Sequence, residues 1–248
     1  MITLYQFPGL WGLPNASPFC MKVETYLRMA ELPYEIKLVR DPRIAPKGKL
    51  PFIQIEEKKI ADSEIIIDFL KAKYGDLLDK NLSKEQKAFS VFLDNTLSSY
   101  FYWIVVYSRW QYEPNWLHIK ADYFAKMPFL LKTFVPRIAR KNTLKALYMQ
   151  GTGRHSYDEV LEMGFKTINA LADSLANKKY FHGNEPSTID GTVFSFLASL
   201  AWTPYDDAFK TQLHRQSNLL GFCDRMWSAF YPEFAKPFAL NYNEIKTV

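Results

Sequence analysis

Residues 50–70, LPFIQIEEKKIADSEIIIDFL, decide the fold of this chain. Pro51 opens a strand-like run, and because proline donates no amide proton it belongs at the start or the edge of a strand. A tight turn leads into a second strand-like run, and the apolar spacing of a helix begins at Asp62 and Ser63. The stretch therefore predicts a β-hairpin followed by a helix over 63–74.

The same stretch carries groups suited to a small acidic peptide. Leu50, next to Pro51, is expected to keep unpaired backbone groups, and such groups can pair with an extended peptide. The helix start at Asp62 and Ser63 is expected to offer free amides and the positive end of the helix dipole, which attract a carboxylate. We therefore predict a peptide-binding edge within one small subdomain.

The residues before this stretch predict the rest of a small α/β domain. Residues 2–7 and 34–39 have strand patterns, and residues 17–31 between them carry apolar side chains at helical spacing. Such a unit places its two strands in parallel with a right-handed crossover, and the hairpin adds an antiparallel pair. We predict that this first domain covers residues 1–75, with Gly75 just beyond its last helix.

The second part of the chain is predicted to be all helical. Long amphipathic patterns, with no confident strand, run onward from a polar stretch over 76–83, which we interpret as a linker. The helical domain is expected to cover residues 84–248. Within it, Ser187 and Asp190 have the spacing of a capping box in front of an apolar helix, which is a folding device.

Composition and charge are those of a globular protein: 48% of the residues are hydrophobic, 23% are charged and the formal net charge is +5. The densest basic stretch, KTFVPRIARKNTLK at 132–145, is interpreted as a solvated helix face, because no nucleic-acid-binding motif accompanies it. We therefore expect no nucleic-acid partner. The four histidines lack metal-ligand spacing, so no metal site is predicted.

The number of cysteines and the hydropathy of the chain indicate in which cellular compartment the protein is expected. Cys20 and Cys223 are the two cysteines, which argues against a disulfide framework and favours a reducing environment. The amino terminus shows no signal-peptide pattern, and no apolar stretch is long enough to span a bilayer as one helix. We expect a soluble, cytoplasmic protein without a transmembrane segment.

Four segments together resemble the cytosolic glutathione transferases, over nearly the whole chain. They resemble the first helix and second strand of that family, its cis-proline segment, its glutathione-anchoring helix start and its capping box: ASPFCMKVETYLRMAELPYE (16–35), PKGKLPFI (46–53), ADSEIIIDFL (61–70) and NEPSTIDGTVF (184–194). Within the family, the stretch FPGLWGLPNASPFCMKVETYLRMAELPYE (7–35) and the third segment look closest to the failed axon connections and metaxin-like branch. The resemblance implies an α/β thioredoxin-like N-terminal domain followed by an all-α C-terminal domain.

The resemblance also implies that glutathione is the co-substrate. Leu50, before a cis Pro51, would then pair with the main chain of the cysteinyl part, and Lys49 would neutralise the glycine carboxylate. Ser63, aided by the amides after Asp62, would hold the γ-glutamyl carboxylate. Each position also has an ordinary structural interpretation, a solvated lysine or a plain helix cap.

Ser17 is the predicted catalytic residue. In the family a hydroxyl or thiol at this place meets the sulfur of glutathione, and a hydrogen bond together with the helix dipole would favour the thiolate. The alternative is a serine that only caps the helix. Cys20 is expected to pack as a small hydrophobe, and thiol transfer by Cys20 would require an accessible sulfur.

The pocket for the second substrate is less clearly marked. Trp11, in the long loop before Ser17, and Tyr107, in an aromatic-rich segment, are the residues we name for it. Helical spacing favours packing over substrate contact for Trp103, Tyr107 and Trp110, although an aromatic pocket would suit apolar electrophiles.

Two functions from different classes follow. The first is a glutathione transferase-like enzyme, of the kind used in detoxification, that transfers the glutathione thiolate to small apolar electrophiles; the family resemblance also implies a homodimer. The second is a non-catalytic binding or scaffold protein of the metaxin and failed axon connections kind, which would keep the same capping motifs.

Overall fold

The computed structural model describes residues 1–125 and 127–235. Its first part is a four-stranded sheet in the order β2-β1-β3-β4, in which β1 and β2 are parallel and the other neighbours are antiparallel. The elements are β1 (Ile2–Gln6), α1 (Pro18–Met29), β2 (Tyr34–Leu38), β3 (Phe52–Ile55), β4 (Lys58–Ala61) and α2 (Ser63–Tyr74). This is the predicted thioredoxin-like arrangement.

Local sequence signals explain where these elements begin and end. Pro18 occupies the first turn of α1, where its fixed backbone angle and missing donor cost nothing. Gly75 follows α2 with a φ of 92°, a conformation that favours glycine and ends the helix as predicted. Leu4, Leu27 and Ile53 are fully buried between sheet and helices, which closes the core of this domain.

The second part contains only helices among the described residues. They are α3 (Lys84–Asn95), α4 (Tyr102–Trp110), α5 (Glu113–Tyr123), α6 (Phe129–Gln150), α7 (Tyr157–Leu175), α8 (Thr188–Ala201), α9 (Ala208–His214) and α10 (Ser217–Phe230). A π-helical segment, Thr96–Phe101, joins α3 to α4. The predicted all-α C-terminal domain is therefore confirmed. Within the described ranges, no helix combines the length and apolarity that crossing a membrane requires.

Helix α8 is the centre of the helical part, and its residues from Ile189 onward are buried. The predicted capping box is present: Asp190 accepts hydrogen bonds from the N–H of Ser187 at 2.8 Å and from the Ser187 hydroxyl at 2.7 Å. Asp190 also accepts from the N–H of Phe181 at 2.8 Å. One buried carboxylate thus fixes both the start of α8 and the loop before it.

Polar contacts hold the two parts against each other. The Lys22 ammonium of α1 lies 2.5 Å from the carboxylate of Asp94 in α3. Asp79, between α2 and α3, accepts from the N–H of Thr188 at 2.8 Å and from Lys71 at 2.5 Å. Asp94 also accepts from the Thr192 hydroxyl of α8 at 2.9 Å, so Asp94 links α1 to α8 and fixes the start of α1 relative to it.

The division into domains over 1–75, 76–83 and 84–248 stays a prediction. The structure gives the flanking elements, since α2 ends at Tyr74 and α3 begins at Lys84. The end of the predicted helical domain lies outside the described residues.

Candidate functional site

Strand register brings the predicted peptide-binding segments together at one end of the strands, which we call the sheet edge. Phe52 in β3 lies opposite Tyr5 in β1 and opposite Ala61 in β4. The neighbouring residues Pro51 and Asp62 therefore lie at the same edge, where β1 also ends. The loop that leads to Ser17 and α1 leaves the sheet from this edge.

Cys20 connects the start of α1 to this edge through apolar contacts. Its side chain is fully buried in a cluster with Leu50, Phe52 and Ala61. Burial raises the pKa of the Cys20 thiol to about 12. The expected packing role of Cys20 agrees with this placement, and the accessible sulfur that thiol transfer by Cys20 would need is not observed.

Ser17 caps α1 and is held from both sides. Its Oγ accepts from the N–H of Cys20 at 3.5 Å, and its own N–H donates to Asn15 Oδ1 at 3.0 Å. Asn15 is buried and donates through Nδ2 to the carbonyl oxygen of Phe7 at 2.6 Å. The Ser17 side chain also hydrogen-bonds the Cys20 thiol and lowers its pKa, so a ligand sulfur would compete with that thiol for the hydroxyl hydrogen of Ser17.

The segment before β3 has the backbone that the family resemblance implies. The Leu50–Pro51 peptide bond is cis. Within the described residues, the N–H and C=O of Leu50 form no backbone hydrogen bond, as predicted. Lys49 is exposed beside Leu50. This segment therefore presents an open main-chain donor and acceptor next to a cation.

The start of α2 differs from the prediction in one respect. Asp62 caps the helix itself: its Oδ1 accepts from the N–H of Glu64 at 3.1 Å and of Ile65 at 3.4 Å. The amides of Glu64 and Ile65 are therefore not free, because the short acidic side chain of Asp62 folds back onto them. Ser63 is buried, and its hydroxyl has no hydrogen-bond partner among the described residues.

Trp11 lies at a tight turn in the loop before Ser17. Leu10 and Leu13 exchange backbone hydrogen bonds of 3.2 and 2.9 Å, and Trp11 between them has a φ of 60°, which is rare for a bulky residue. Its indole N–H donates to Asp122 at 2.7 Å. The ring also meets Tyr205 edge-on, with centroids 5.7 Å apart. Trp11 thus joins a cluster of aromatic side chains.

The structure places the other named aromatic residue, Tyr107, elsewhere. Its side chain is buried in the main core of the helical domain. Its hydroxyl donates to the carbonyl oxygen of His155 at 3.1 Å, on the loop before α7. Tyr107 is therefore a packing residue, as its helical spacing favoured, and the suggested substrate contact has no structural support.

Sequence reasoning missed Arg109 of α4, which is only 6% exposed. Its guanidinium donates to the carbonyl oxygens of Ala16, at 3.4 Å, and Ser199, at 2.5 Å, and lies 5.5 Å from the centroid of the Trp11 ring. Its Nε has no partner among the described residues. A single cation within the apolar run IVVYSRW was the sequence signal that could have revealed it.

Electrostatics around Arg109 keep it charged. Burial lowers the pKa of Arg109, but the phenols of Tyr123 and Tyr205 and the carboxylate of Asp207 raise it more, so the net direction is upward. Its hydrogen-bond partners are backbone carbonyls and the phenols of Tyr123 and Tyr205, and a buried cation is costly without a paired anion. A buried positive charge therefore lies against the backbone of Ala16, the residue before Ser17.

A charged crevice of about 190 Å³ lies between the two domains. It is lined mainly by polar and charged residues, among them Lys22, Glu64, Asp68 and Asp94. Its lining does not suit an apolar electrophile, so we do not assign it to the second substrate. Within the described ranges, no group of three or more His, Cys, Asp or Glu residues is arranged to hold a metal ion.

Comparisons with known proteins agree with this fold. The glutathione S-transferase N-terminal domain family matches residues 18–116, and the glutathione S-transferase C-terminal domain family matches residues 164–226. The β-etherase LigF of Sphingobium sp. strain SYK-6 has a similar structure, with a TM-score of 0.68 and 20% identity over 93% of this chain and 97% of that one.

Three relatives are similar over nearly the whole chain. Failed axon connections of Drosophila melanogaster is 34% identical over 94% of this chain, which spans 59% of that protein. Human Metaxin-1 is 27% identical over 92% of this chain, which spans 51% of it. The isoprene-epoxide–glutathione S-transferase of Rhodococcus sp. (strain AD45) is 32% identical over 91% of this chain and 98% of its own length. This chain therefore belongs to the glutathione S-transferase family.

Proposed function

We propose that this chain binds glutathione at the sheet edge described above and transfers its thiolate to a small, largely apolar electrophile. The observation that carries the proposal is the hydrogen-bonding state of Ser17. Its Oγ accepts from the first turn of α1, so its hydroxyl hydrogen can donate to a sulfur at the positive end of that helix. Nearby groups are chemically suited to bind the remaining parts of the tripeptide.

Each part of glutathione would then have a partner. The open main chain of Leu50 would pair with the cysteinyl residue, and Lys49 would neutralise the glycine carboxylate. The hydroxyl of Ser63 would donate to the γ-glutamyl carboxylate. Asp62 is exposed and anionic, so it would face the γ-glutamyl ammonium instead of the carboxylate.

Three groups would stabilise the thiolate. Ser17 would donate a hydrogen bond to it, the N-terminus of α1 would add its dipole, and the buried Arg109 would add a full positive charge. A hydrogen bond to a charged group contributes about 1.5–3 kcal/mol, which corresponds to about one to two units in the pKa of the thiol. In the transfer, the sulfur forms a bond to the electrophilic carbon as the bond to the leaving atom breaks.

The aromatic cluster around Trp11 supports an apolar second substrate. Trp11 is partly exposed and supplies ring surface, while the buried Tyr205 and Arg109 pack against it. A cation and phenols beside apolar surface suit an electrophile whose leaving atom is an oxygen that gains negative charge. The name of the Rhodococcus relative, which refers to an epoxide, fits the same class.

The proposal is tested first by ligand binding and then by conjugation. Glutathione at millimolar concentration is expected to raise the melting temperature, because a ligand that binds only the folded state stabilises it. Ser17→Ala is expected to lower the rate of conjugation to a reactive aryl halide by about 10- to 100-fold, from the loss of one charged hydrogen bond.

The matched control is Ser156→Ala. Ser156 caps α7 and accepts from the N–H of Glu159 at 3.3 Å, so this variant also loses a helix cap. It is expected to lose comparable stability, about 1 kcal/mol, without losing activity. Equal activity of Ser17→Ala and Ser156→Ala would remove the catalytic role of Ser17.

The alternative is a non-catalytic binding or scaffold function. Its support is the similarity to Failed axon connections and to Metaxin-1. A melting temperature that glutathione leaves unchanged would favour this alternative. Loss of transfer in Cys20→Ala, with Ser17→Ala still active, would instead assign thiol transfer to Cys20.

We also propose that the chain forms a homodimer. Phe92 and Val91 of α3 are 71% and 54% exposed, and Ile65 at the start of α2 is 48% exposed. Apolar side chains from both domains thus face solvent, as a self-complementary interface requires. Phe92→Glu is expected to raise the monomer fraction in sedimentation equilibrium, whereas Leu117→Glu, at an exposed position of α5, is not.

A cytoplasmic location and a detoxifying role complete the proposal. Both cysteines are buried and neither is in a disulfide, as suits a reducing compartment. Fractionation of the source cells and exposure of a deletion strain to epoxides would test location and role separately.

A further inference from the structure

Helix α6 carries an exposed apolar stripe over its first three turns. The stripe consists of Leu130, Phe134 and Ile138, which are 76%, 63% and 59% exposed. Leu130, Phe134 and Ile138 are spaced four residues apart, so they lie on one face of the helix. Large apolar side chains that stand together in solvent mark an interaction site more often than chance surface exposure.

The stripe faces away from the protein. The other side of α6 already has its partners: Pro136 and Leu147 are buried, and Val135 and Ala139 pack against the aromatic cluster around Trp116. The core of the domain therefore does not need the stripe. The stripe therefore lies on the solvent-facing side of α6, where no other part of the described structure covers it.

The charges on α6 identify the class of partner. Residues 129–150 contain no Asp or Glu, and their cations are Lys132, Arg137, Arg140, Lys141 and Lys145. Arg140 pairs with Glu113 at 2.6 Å, whereas the other cations are exposed. Arg137, Lys141 and Lys145 continue along the same solvent face as the stripe. A partner that complements this face of α6 must therefore offer both apolar surface and negative charge.

A second copy of this chain does not fit that description. A two-fold contact through α6 would place this acid-free helix against itself and oppose like charges. Nor does α6 form a groove, since its apolar residues stand on a convex face. An anionic bilayer accepts apolar side chains between its headgroups and attracts Lys and Arg at its surface.

We propose that α6 is an interfacial helix that docks this protein on anionic phospholipid membranes. Leu130, Phe134 and Ile138 enter the boundary between headgroups and acyl chains, and Arg137, Lys141 and Lys145 contact lipid phosphates. Binding is peripheral and reversible, and it is independent of the thiol chemistry at Ser17.

Vesicle sedimentation of the full chain tests this proposal. Binding is expected to phosphatidylcholine vesicles that contain phosphatidylserine and not to phosphatidylcholine alone, and salt is expected to weaken it. Replacing Lys141 and Lys145 by Gln together is expected to lower the partition coefficient by about 30-fold. Lys166→Gln, an exposed position on α7, is the matched control and should bind as the unaltered chain does.

The apolar half of the site is tested in the same way. Phe134→Ser is expected to lower partition by at least about 10-fold. Its control, Leu38→Ser, changes an equally exposed residue, 62% against 63%, at the end of β2. A nitroxide attached at Phe134→Cys should be shielded from aqueous reductant by the anionic vesicles.

Several outcomes would overturn the proposal. They are absence of sedimentation with anionic vesicles, equal binding to both vesicle types, or α6 variants that bind like their controls. A shift of Phe134→Ser from oligomer to monomer without any vesicle binding would assign the stripe to a second copy. Retention of an acidic protein by α6 without vesicle binding would assign it to a protein partner.

Discussion

We expect the Cys20 thiol to be unreactive in the folded protein, although Cys20 lies one helical turn from Ser17. Burial raises the pKa of its thiol to about 12 from an ordinary value of 9.0. Near pH 8 the thiolate fraction therefore falls from about one in ten to about one in ten thousand, a factor of about 10³. A thiolate of higher pKa is intrinsically more nucleophilic, which restores about 16- to 30-fold.

The net expectation is that ionisation alone slows the reaction of Cys20 with Ellman's reagent by about 30- to 60-fold relative to the unfolded chain. Steric exclusion by Leu50, Phe52 and Ala61 adds to this. The measurement uses the Cys223→Ala background, so that Cys20 is the thiol observed, and compares native with urea-unfolded protein. A native rate within about threefold of the unfolded rate would refute the burial argument and return Cys20 to the list of reactive groups.

Three further predictions concern stability and the thiolate. Asp190→Ala removes hydrogen bonds to Ser187 and Phe181 and is expected to lower the free energy of unfolding by about 2–4 kcal/mol in denaturant titrations. Burial raises the pKa of Asp79, but its bonds from Lys71 and Thr188 lower it more, to below 3.8. Its stabilising contribution is therefore present above about pH 4 and is lost as the pH falls through the lowered pKa; urea unfolding of Asp79→Asn should show a weaker loss on acidification than the unaltered chain. Arg109→Met is expected to raise the pKa of glutathione bound to the protein, read from the ultraviolet absorbance of the thiolate, and an unchanged pKa would exclude Arg109 from thiolate stabilisation.

Periodicity and capping signals predicted the small α/β part and the helical part, and the family resemblance identified the first as thioredoxin-like. The helix predicted over 63–74 is observed at those residues, because Asp62 and Gly75 mark its two ends in the sequence. The capping box of Ser187 and Asp190 was recognisable for the same reason: each partner lies within one helical turn of the other. Local spacing determines such features, so one sequence reveals them.

Contacts between distant segments could not be predicted in this way. Arg109 and Ala16 are far apart in sequence, and nothing in the spacing of either residue indicates that they meet. Tyr107 and Trp11 were equally plausible pocket residues because both are aromatic. Only tertiary packing shows that the Tyr107 ring lies in the core and that the Trp11 ring lies beside Arg109. The amides after Asp62 were expected to be free because helix starts expose donors, but the short side chain at the cap satisfies them locally.

The anchoring of Asn15 has a consequence for how a ligand meets this site. Asn15 binds Phe7 on one side and Ser17 on the other, so the loop loses its conformational freedom when the chain folds. This loop then adds little further ordering cost when a tripeptide binds. Association should proceed as simple docking, with an observed rate that keeps rising with ligand concentration instead of levelling off at the speed of a loop rearrangement.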